Sequence, residues 1–257
     1  MESACIFGYG VVGKATGLSL GITRYFDLQG SNITLEDAAK CRYIFICLPT
    51  PTGADGKQDT GYIEDYVRKI SSFGGTQTFV IRSTVLPGTV RRIVGRTGVQ
   101  SIVSNPEFLT ESTWEQDARR PTLVVVGSDS GEARDGVAGL YESRWKGIAI
   151  YKTDSVTAET IKYGLNSFFA TKVVFANSIF DLCQREKANY ETVKKVLESH
   201  PWGSKNHFTI WHQGGRGAGG KCLKKDVQAF AYFSDNPFFR LVDALNQELL
   251  TKYPKEK

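Results

Sequence analysis

The sequence predicts an α/β fold in two parts, a doubly wound, mostly parallel sheet over residues 1–152 and an all-helical domain over residues 153–257. In the first part, short apolar runs of strand length alternate with stretches of helix length, which is typical of a parallel sheet with crossover helices. After the run at 148–150, apolar residues recur only at helical spacing. A chain of 257 residues is long enough for two such domains.

Charge and composition exclude several classes of function. The net charge is +5, and Lys and Arg are spread along the chain, so we expect no nucleic-acid partner, although an anionic small molecule is compatible. Five cysteines without a Cys-x-x-Cys pair and three histidines without ligand spacing predict no metal site. Without a membrane-spanning run or a charged-then-apolar leader, we expect a cytoplasmic protein with no membrane partner.

The first strand, residues 4–7, leads directly into a Gly-x-Gly-x-x-Gly motif. In such a motif Gly8 permits a tight turn, Gly10 lets the backbone approach a pyrophosphate, and Gly13 lets the helix pack on the strand. The pyrophosphate is expected at the helix N-terminus that Val11 and Val12 open.

An acidic residue about 20 positions after this motif, at the end of the second strand, binds the adenosine ribose. Asp27 follows Tyr25-Phe26 near that position, and no arginine comes directly after it. The strand, the glycines and Asp27 together predict a Rossmann-like domain that binds NAD rather than NADP.

Further strands are expected at Tyr43–Leu48, Thr78–Ile81, Ser101–Val103, Leu123–Val126 and Ile148–Ile150. Helices between them are expected near Tyr62–Ser72, Thr89–Gly95 and Glu132–Tyr141. In open α/β sheets the ligand lies beyond the carboxyl ends of the strands, so the residues that follow each strand are the candidates for contact.

The second part predicts helices at Ser155–Leu182, Asn189–Ser199, Leu223–Phe233 and Pro237–Tyr253. Lys162 and Asn166 are four residues apart and therefore project from one face of the first of these helices. Spacing alone favours a solvated helix face over a site as the interpretation of these two residues.

Cys222 follows a glycine-rich segment, Gly217–Gly220, at the expected start of a helix. Free N–H groups at a helix N-terminus, together with Lys221, favour the thiolate form. Asp226 lies one turn later on the same face. A small buried core residue is the alternative reading of a single cysteine.

The pattern Gly-x-Gly-Gly-x-Cys-x-x-Lys-Asp at 217–226 resembles the catalytic-cysteine motif of the nucleotide-sugar dehydrogenases, the UDP-glucose 6-dehydrogenase and GDP-mannose 6-dehydrogenase family. Four other segments resemble that family in its own order: residues 48–51, 83–89, 105–111 and 158–166. The resemblance covers almost the whole chain, and the family's third, nucleotide-binding domain would follow where this sequence stops. We therefore expect a short form.

The resemblance implies NAD-dependent, four-electron oxidation of a sugar C6 alcohol to a carboxylate, through a thiohemiacetal and a thioester on Cys222. The catalytic residues it implies are Cys222, Lys162, Asn166, Asp226, Glu107 and Thr84. The expected NAD contacts are Gly8, Gly10, Val11, Val12, Gly13, Asp27, Leu48, Pro49, Thr50, Ser83, Thr84 and Glu111. The expected substrate contacts are Glu107, Phe108, Leu109, Lys162, Asn166, Gly219 and Cys222.

The resemblance also implies individual roles. Lys162 and Asn166 would stabilise oxyanions at C6, and Asp226 would hold water or balance the lysine. Glu107 would be the base for hydrolysis, for which we expect a raised pKa, and Thr84 would position water beside the nicotinamide. The long helix from Ser155 resembles the family's dimerisation region, so a homodimer is expected.

Two other functions stay open from the sequence. A two-electron β-hydroxyacid dehydrogenase has the same order of domains and uses a lysine and an asparagine, but it needs no cysteine. A non-catalytic NAD-binding or dimerising module is the other. The substrate is a sugar or a sugar nucleotide, and the identity of the sugar and of the nucleotide is open.

Overall fold

The structure is a computed structural model that describes residues 4–52, 58–110, 112–201, 203, 206–212 and 214–254, with only the backbone at 221 and 222. The chain divides into two compact units. The first comprises residues 4–51 and 58–162, and most of the second is the described chain from residue 163 onward. This division falls inside a helix that spans Ser155–Arg185, whereas the domain boundary at 152/153 stays a prediction.

Seven strands of the described residues form one sheet in the first unit. They are β1 (Ala4–Phe7), β2 (Tyr25–Phe26), β3 (Tyr43–Ile46), β4 (Thr78–Ile81), β5 (Ile102–Ser104), β6 (Leu123–Gly127) and β7 (Ala149–Thr153). Their order is β2-β1-β3-β4-β5-β6-β7, and neighbours run parallel except β5 and β6, which pair antiparallel. The predicted fold class of the first part, doubly wound and mostly parallel, is confirmed.

The central strands are apolar without interruption because helices cover both faces of the sheet. Every residue of β1, β3 and β4 is buried. Alternate residues of a strand point to opposite faces, and here they enter two separate cores. Cys5 and Phe7 pack into one core, while Ala4 and Ile6 pack into the other.

The helices of the first unit are α1 (Val11–Leu20), α2 (Leu35–Ala39), α3 (Gly61–Ser71), α4 (Thr89–Thr97), α5 (Trp114–Arg119) and α6 (Gly131–Arg144). The core that contains Phe7 includes residues of α2, α3 and α4, and the core that contains Ile6 includes residues of α1 and α6. The sheet is thus covered on both faces, as a doubly wound fold requires. The sequence did not predict α2 or α5, which have only five and six residues.

The second unit is helical, as predicted. Its helices are α7 (Ser155–Arg185), which begins in the first unit, α8 (Tyr190–Ser199), α9 (Gly220–Ser234) and α10 (Pro237–Lys252). The side chain of Asn236 caps α10, and Pro237 takes its first position, where a missing N–H is harmless. No described helix combines the length and apolarity that a membrane span requires.

Candidate active site

The turn between β1 and α1 is closed too tightly for side chains at two of its glycines. Gly8 has a φ of 86°, and a Cβ there would lie 2.6 Å from the carbonyl oxygen of Cys47. A Cβ on Gly13 would lie 2.0 Å from the carbonyl oxygen of Gly8. Gly10 faces open space instead. This is the geometry in which a ligand approaches the backbone at the second glycine.

The N-terminus of α1 has no side-chain cap and no acidic residue in its first turn. The N–H groups of a first helical turn have no acceptor within their own helix, and they favour a negative charge. At Val11, Val12 and Gly13 these groups therefore suit a phosphate, and the contact of these three residues with a pyrophosphate stays a prediction. The residues present fit the pyrophosphate of a dinucleotide.

Asp27 follows β2 and lies against the glycine turn. Its Oδ1 accepts the N–H of Gln29 at 2.9 Å, and its Oδ2 accepts the N–H of Tyr9 at 2.6 Å. These two backbone donors, Gln29 first, hold the pKa of the Asp27 carboxyl below its usual value. An ionised carboxylate at this position suits the hydroxyl groups of a ribose.

Two loops that the sequence assigned to the cofactor are hydrogen-bonded to each other beyond β3 and β4. Thr50 donates its hydroxyl to the carbonyl of Thr84 at 2.7 Å, and Ser83 donates to the carbonyl of Leu48 at 2.7 Å. Pro49 lies between the two residues of the first loop. Gln58 also donates to Thr84, at 2.9 Å, and was not predicted.

Glu107 and Lys162 form a buried ion pair in the first unit. The distance from Nζ of Lys162 to Oε1 of Glu107 is 3.0 Å, and the side chains are 7% and 9% exposed. The N–H of Leu109 donates to Oε2 of Glu107 at 2.7 Å. The ring of Phe108 lies 5.6 Å from the ammonium nitrogen. The segment predicted to contact substrate is therefore organised around one lysine.

The raised pKa expected for Glu107 is wrong in direction. Burial alone raises the pKa of this carboxyl, but the charge of Lys162 opposes burial, and so do the Leu109 N–H and the charge of Arg82. The net result is a lowered pKa. Glu107 is therefore ionised at neutral pH and has no proton to donate.

In the second unit, Asn166 donates through Nδ2 to Oδ2 of Asp226 at 2.6 Å. Lys225 pairs with Oδ1 of the same carboxylate at 2.5 Å. Asn166 and Asp226 are both buried. The lysine that Asp226 balances in these contacts is Lys225, whereas Lys162 is paired with Glu107. Asn166 lies one turn after Lys162 on α7, as predicted.

Residues 23–145 match the sequence model of the UDP-glucose/GDP-mannose dehydrogenase family, NAD binding domain, and residues 156–248 match the model of that family's central domain. The chain belongs to the UDP-glucose/GDP-mannose dehydrogenase family. Its first unit carries the family's NAD-binding domain. The match to the NAD-binding domain begins at residue 23, after the glycine turn. The assignment of that turn to the cofactor therefore rests on its own geometry.

Named members of the UDP-glucose/GDP-mannose dehydrogenase family are similar along most of this chain. UDP-glucose 6-dehydrogenase of Rickettsia bellii is 31% identical over 228 residues, covering 86% of this chain and 51% of the relative. GDP-mannose 6-dehydrogenase of Pseudomonas savastanoi is 34% identical over 219 residues, covering 80% and 49%. The chain spans about half the length of these curated relatives.

The solved structure of a UDP-glucose dehydrogenase from the hyperthermophilic archaeon Pyrobaculum islandicum has the same fold. It superimposes with a TM-score of 0.79 at 25% identity, over 98% of this chain and 67% of that one. Because the superposition covers nearly all of this chain, it includes both the sheet and the helices.

Parts of the family's cysteine motif lie at the start of α9. Gly219 is the N-cap, and Cys222 is in the first turn, because the helix begins at Gly220 rather than at Leu223. The thiol of Cys222 lies outside the described atoms, and Glu111 lies outside the described residues. Their roles in this family member stay predictions.

Two residues that hold the segment before Cys222 were not predicted. Asn246 of α10 accepts the N–H of Ala218 at 2.7 Å and donates to its carbonyl at 3.1 Å. Arg216 donates to Asn177 at 2.8 Å and to Asp181 at 2.8 Å. The only signals in the sequence are a polar residue, Asn246, between apolar positions of a helix, and an arginine, Arg216, among glycines.

Proposed function

We propose that the chain is an NAD-dependent nucleotide-sugar 6-dehydrogenase that oxidises the C6 primary alcohol of a sugar to a carboxylate. The observation that carries the proposal is the buried Lys162–Glu107 ion pair. Removing two charges from water costs several kcal/mol per ion, at least about as much as the pair regains by attraction. Such a pair is therefore weak evidence for a role in stability, whereas groups with a perturbed pKa, such as Glu107, are concentrated at functional sites.

In the first oxidation, C6 loses a hydride and its hydroxyl loses a proton, which leaves an aldehyde. NAD, when bound, accepts a hydride in each of the two oxidations. In this proposal the ammonium of Lys162 and the amide of Asn166 stabilise negative charge on the C6 oxygen. Asp226 orients that amide through the 2.6 Å hydrogen bond it accepts from Nδ2.

The second oxidation proceeds through Cys222. Its thiolate attacks the aldehyde carbon, and the oxygen takes up a proton to give a thiohemiacetal. Loss of a hydride from carbon and of that proton from oxygen leaves a thioester. Water adds, and the carbon–sulfur bond breaks, so that the products are a carboxylate and the free thiol. One alcohol, two NAD and one water thus give one carboxylate, two NADH and three protons.

In this proposal Glu107 and Thr84 act on the water that hydrolyses the thioester. Because Lys162 and the Leu109 N–H keep Glu107 ionised, it is ready to accept a proton from the attacking water. Thr84 lies in the loop after β4, where its carbonyl is fixed by Thr50, and its hydroxyl is proposed to position that water.

Counting NADH per substrate tests this proposal. The wild type is compared with Cys222→Ser on UDP-sugars, GDP-sugars and unactivated sugars, with Cys183→Ala as the control for loss of a thiol. Two NADH per substrate, lost only in Cys222→Ser, is the expected result. One NADH that survives Cys222→Ser means a two-electron hydroxyacid-type dehydrogenase. NAD binding without turnover on any substrate means a non-catalytic module.

We further propose that the chain acts as a homodimer. Three apolar side chains on α7, Phe168, Phe175 and Leu182, expose 55%, 48% and 42% of their surface. Their spacing of seven residues places them on one face of the helix. An apolar face of this kind favours burial against a second copy.

We also propose that the protein works in the cytoplasm. The cysteines whose side chains are described are free thiols, and free thiols fit a reducing compartment.

A further inference from the structure

Arg82 comes directly after β4 and connects several elements at the carboxyl end of the sheet. Its Nε donates to the hydroxyl of Thr16, on α1, at 3.1 Å. Its Nη1 donates to the backbone carbonyl of Asn105 at 3.2 Å and to Oδ1 of the same residue at 2.9 Å. Nη1 also donates to the hydroxyl of Tyr141, on α6, at 3.1 Å. One guanidinium therefore ties α1, α6 and the end of β5 to β4.

Asn105 is the residue that these contacts fix. It is fully buried, its Oδ1 also accepts the hydroxyl of Tyr141 at 2.6 Å, and its Nδ2 donates to the carbonyl of Val125 at 2.7 Å. A buried amide whose oxygen and nitrogen both have hydrogen-bond partners is held in one orientation. Glu107 is only two residues further along the chain, so its backbone is set by this network.

The charge of Arg82 has no carboxylate partner among the described contacts, because Thr16, Asn105 and Tyr141 are all neutral acceptors. Arg82 and Glu107 both line a cavity of about 260 Å³ in the first unit. In such surroundings an unpaired positive charge acts strongly on a nearby carboxylate.

We infer that Arg82 is a positioning residue for Glu107, which fixes the turn that carries this carboxylate and supplies a second positive charge beside it. The structural part of this inference stands without the proposed function, and its catalytic consequence rests on that function. Arg82 touches neither substrate nor cofactor in this role.

The ionisable groups that face Glu107 come from three elements. Lys162 of α7 and Arg82 after β4 both lower the pKa of Glu107. The thiol of Cys47, after β3, faces the same carboxylate, but burial raises its pKa to about 11, so it is uncharged at neutral pH. Removal of Arg82 should therefore raise the pKa of Glu107, while Lys162 still holds it below the value that burial alone would give.

The test is a carbon-13 NMR titration of the glutamate carboxyls in the full chain, with the Glu107 signal assigned by its absence in Glu107→Gln. Arg82→Gln should shift the Glu107 titration to higher pH. Arg82→Lys, which keeps the charge, should restore most of the wild-type titration. Arg96→Gln, which removes an exposed arginine that is paired with Glu64, is the control and should leave the Glu107 titration unchanged.

Turnover supplies the second readout. Arg82→Lys loses the paired contact with Asn105, so we expect kcat to fall about tenfold or more although the titration is retained, because small displacements of catalytic groups are costly. A Glu107 titration unchanged by Arg82→Gln overturns the inference, even if turnover shows four-electron oxidation. A shifted titration without any turnover supports the inference and counts against the proposed function. If Arg82→Gln does not fold, Arg82→Met, which also removes the charge but keeps most of the side-chain volume, replaces it, and an unchanged titration there overturns the inference as well.

Discussion

Nζ of Lys162 lies 3.0 Å from Oε1 of Glu107, and each of these side chains is more than nine-tenths buried. The two residues are 55 positions apart in the chain, one on α7 and one just after β5. Neither has enough access to water to be hydrated if the other is removed. Each of these charges can therefore stay buried only while the other charge is present to compensate it.

This dependence predicts the result of a double-mutant cycle. Lys162→Met leaves the Glu107 carboxylate buried without its ammonium partner, so the free energy of unfolding should fall by about 3–5 kcal/mol. Adding Glu107→Gln removes the unpaired charge, so the double variant should be more stable than Lys162→Met alone. Urea unfolding at neutral pH measures the wild type, the two single variants and the double variant. Additive losses from the two substitutions would contradict the pairing.

The stability of the protein should depend on pH through Glu107. Its pKa is lower in the folded protein, in spite of burial, because of Lys162, the Leu109 N–H and Arg82. Its stabilising contribution is therefore complete above the unfolded pKa, about 4.3, and is lost as pH falls below that value toward the folded pKa.

The measurement is the difference in unfolding free energy between wild type and Glu107→Gln over a series of pH values. We expect the difference to be largest near neutral pH and to shrink below about pH 4.3. A difference that grows on acidification would show that the pKa of Glu107 is raised, as the sequence alone suggested.

Asp27 should determine both the affinity for NAD and the discrimination against NADP. Its carboxylate is held ionised beside the glycine turn by the N–H groups of Gln29 and Tyr9. Asp27→Asn should weaken NAD binding by about tenfold, the effect of losing one charged hydrogen bond, and should narrow the preference over NADP. Calorimetric titration of both dinucleotides measures this. Asp135→Asn, which removes an exposed carboxylate on α6, is the control, and an equal loss in both variants would rule out the assigned role.

The sequence predicted those parts of the fold that depend on neighbouring residues. The glycine turn and Asp27 were found because their spacing is fixed by a local strand-turn-helix unit. Helices α2 and α5 were missed, since five or six residues are too few to show a helical period. The pKa of Glu107 was predicted in the wrong direction because nothing in the sequence shows that Lys162 pairs with it. Asn246 was missed for the same reason, since its partner lies 28 residues away.

Asn246 should contribute to stability through the backbone of Ala218. It is fully buried and makes two hydrogen bonds to that one residue, at 2.7 and 3.1 Å. Asn246→Ala leaves the N–H and the carbonyl of Ala218 buried without partners, so the free energy of unfolding should fall by about 2–3 kcal/mol. The control is Gln247→Ala, which removes an amide bonded to Asp243 on the same helix. Equal losses in the two variants would show that the contact to Ala218 is dispensable.

The apolar face of α7 should hold two copies of the chain together. Phe168, Phe175 and Leu182 follow one another at intervals of seven residues, or two turns, and each is about half exposed. Phe175→Glu places a charge in the middle of this face, so it should convert a dimer to a monomer in sedimentation velocity. Leu28→Glu puts the same charge at an exposed apolar residue of the first unit and should leave the dimer intact. A wild type that sediments as a monomer would contradict the proposed homodimer. A Phe175→Glu variant that is still a dimer would show that the interface lies elsewhere on the chain.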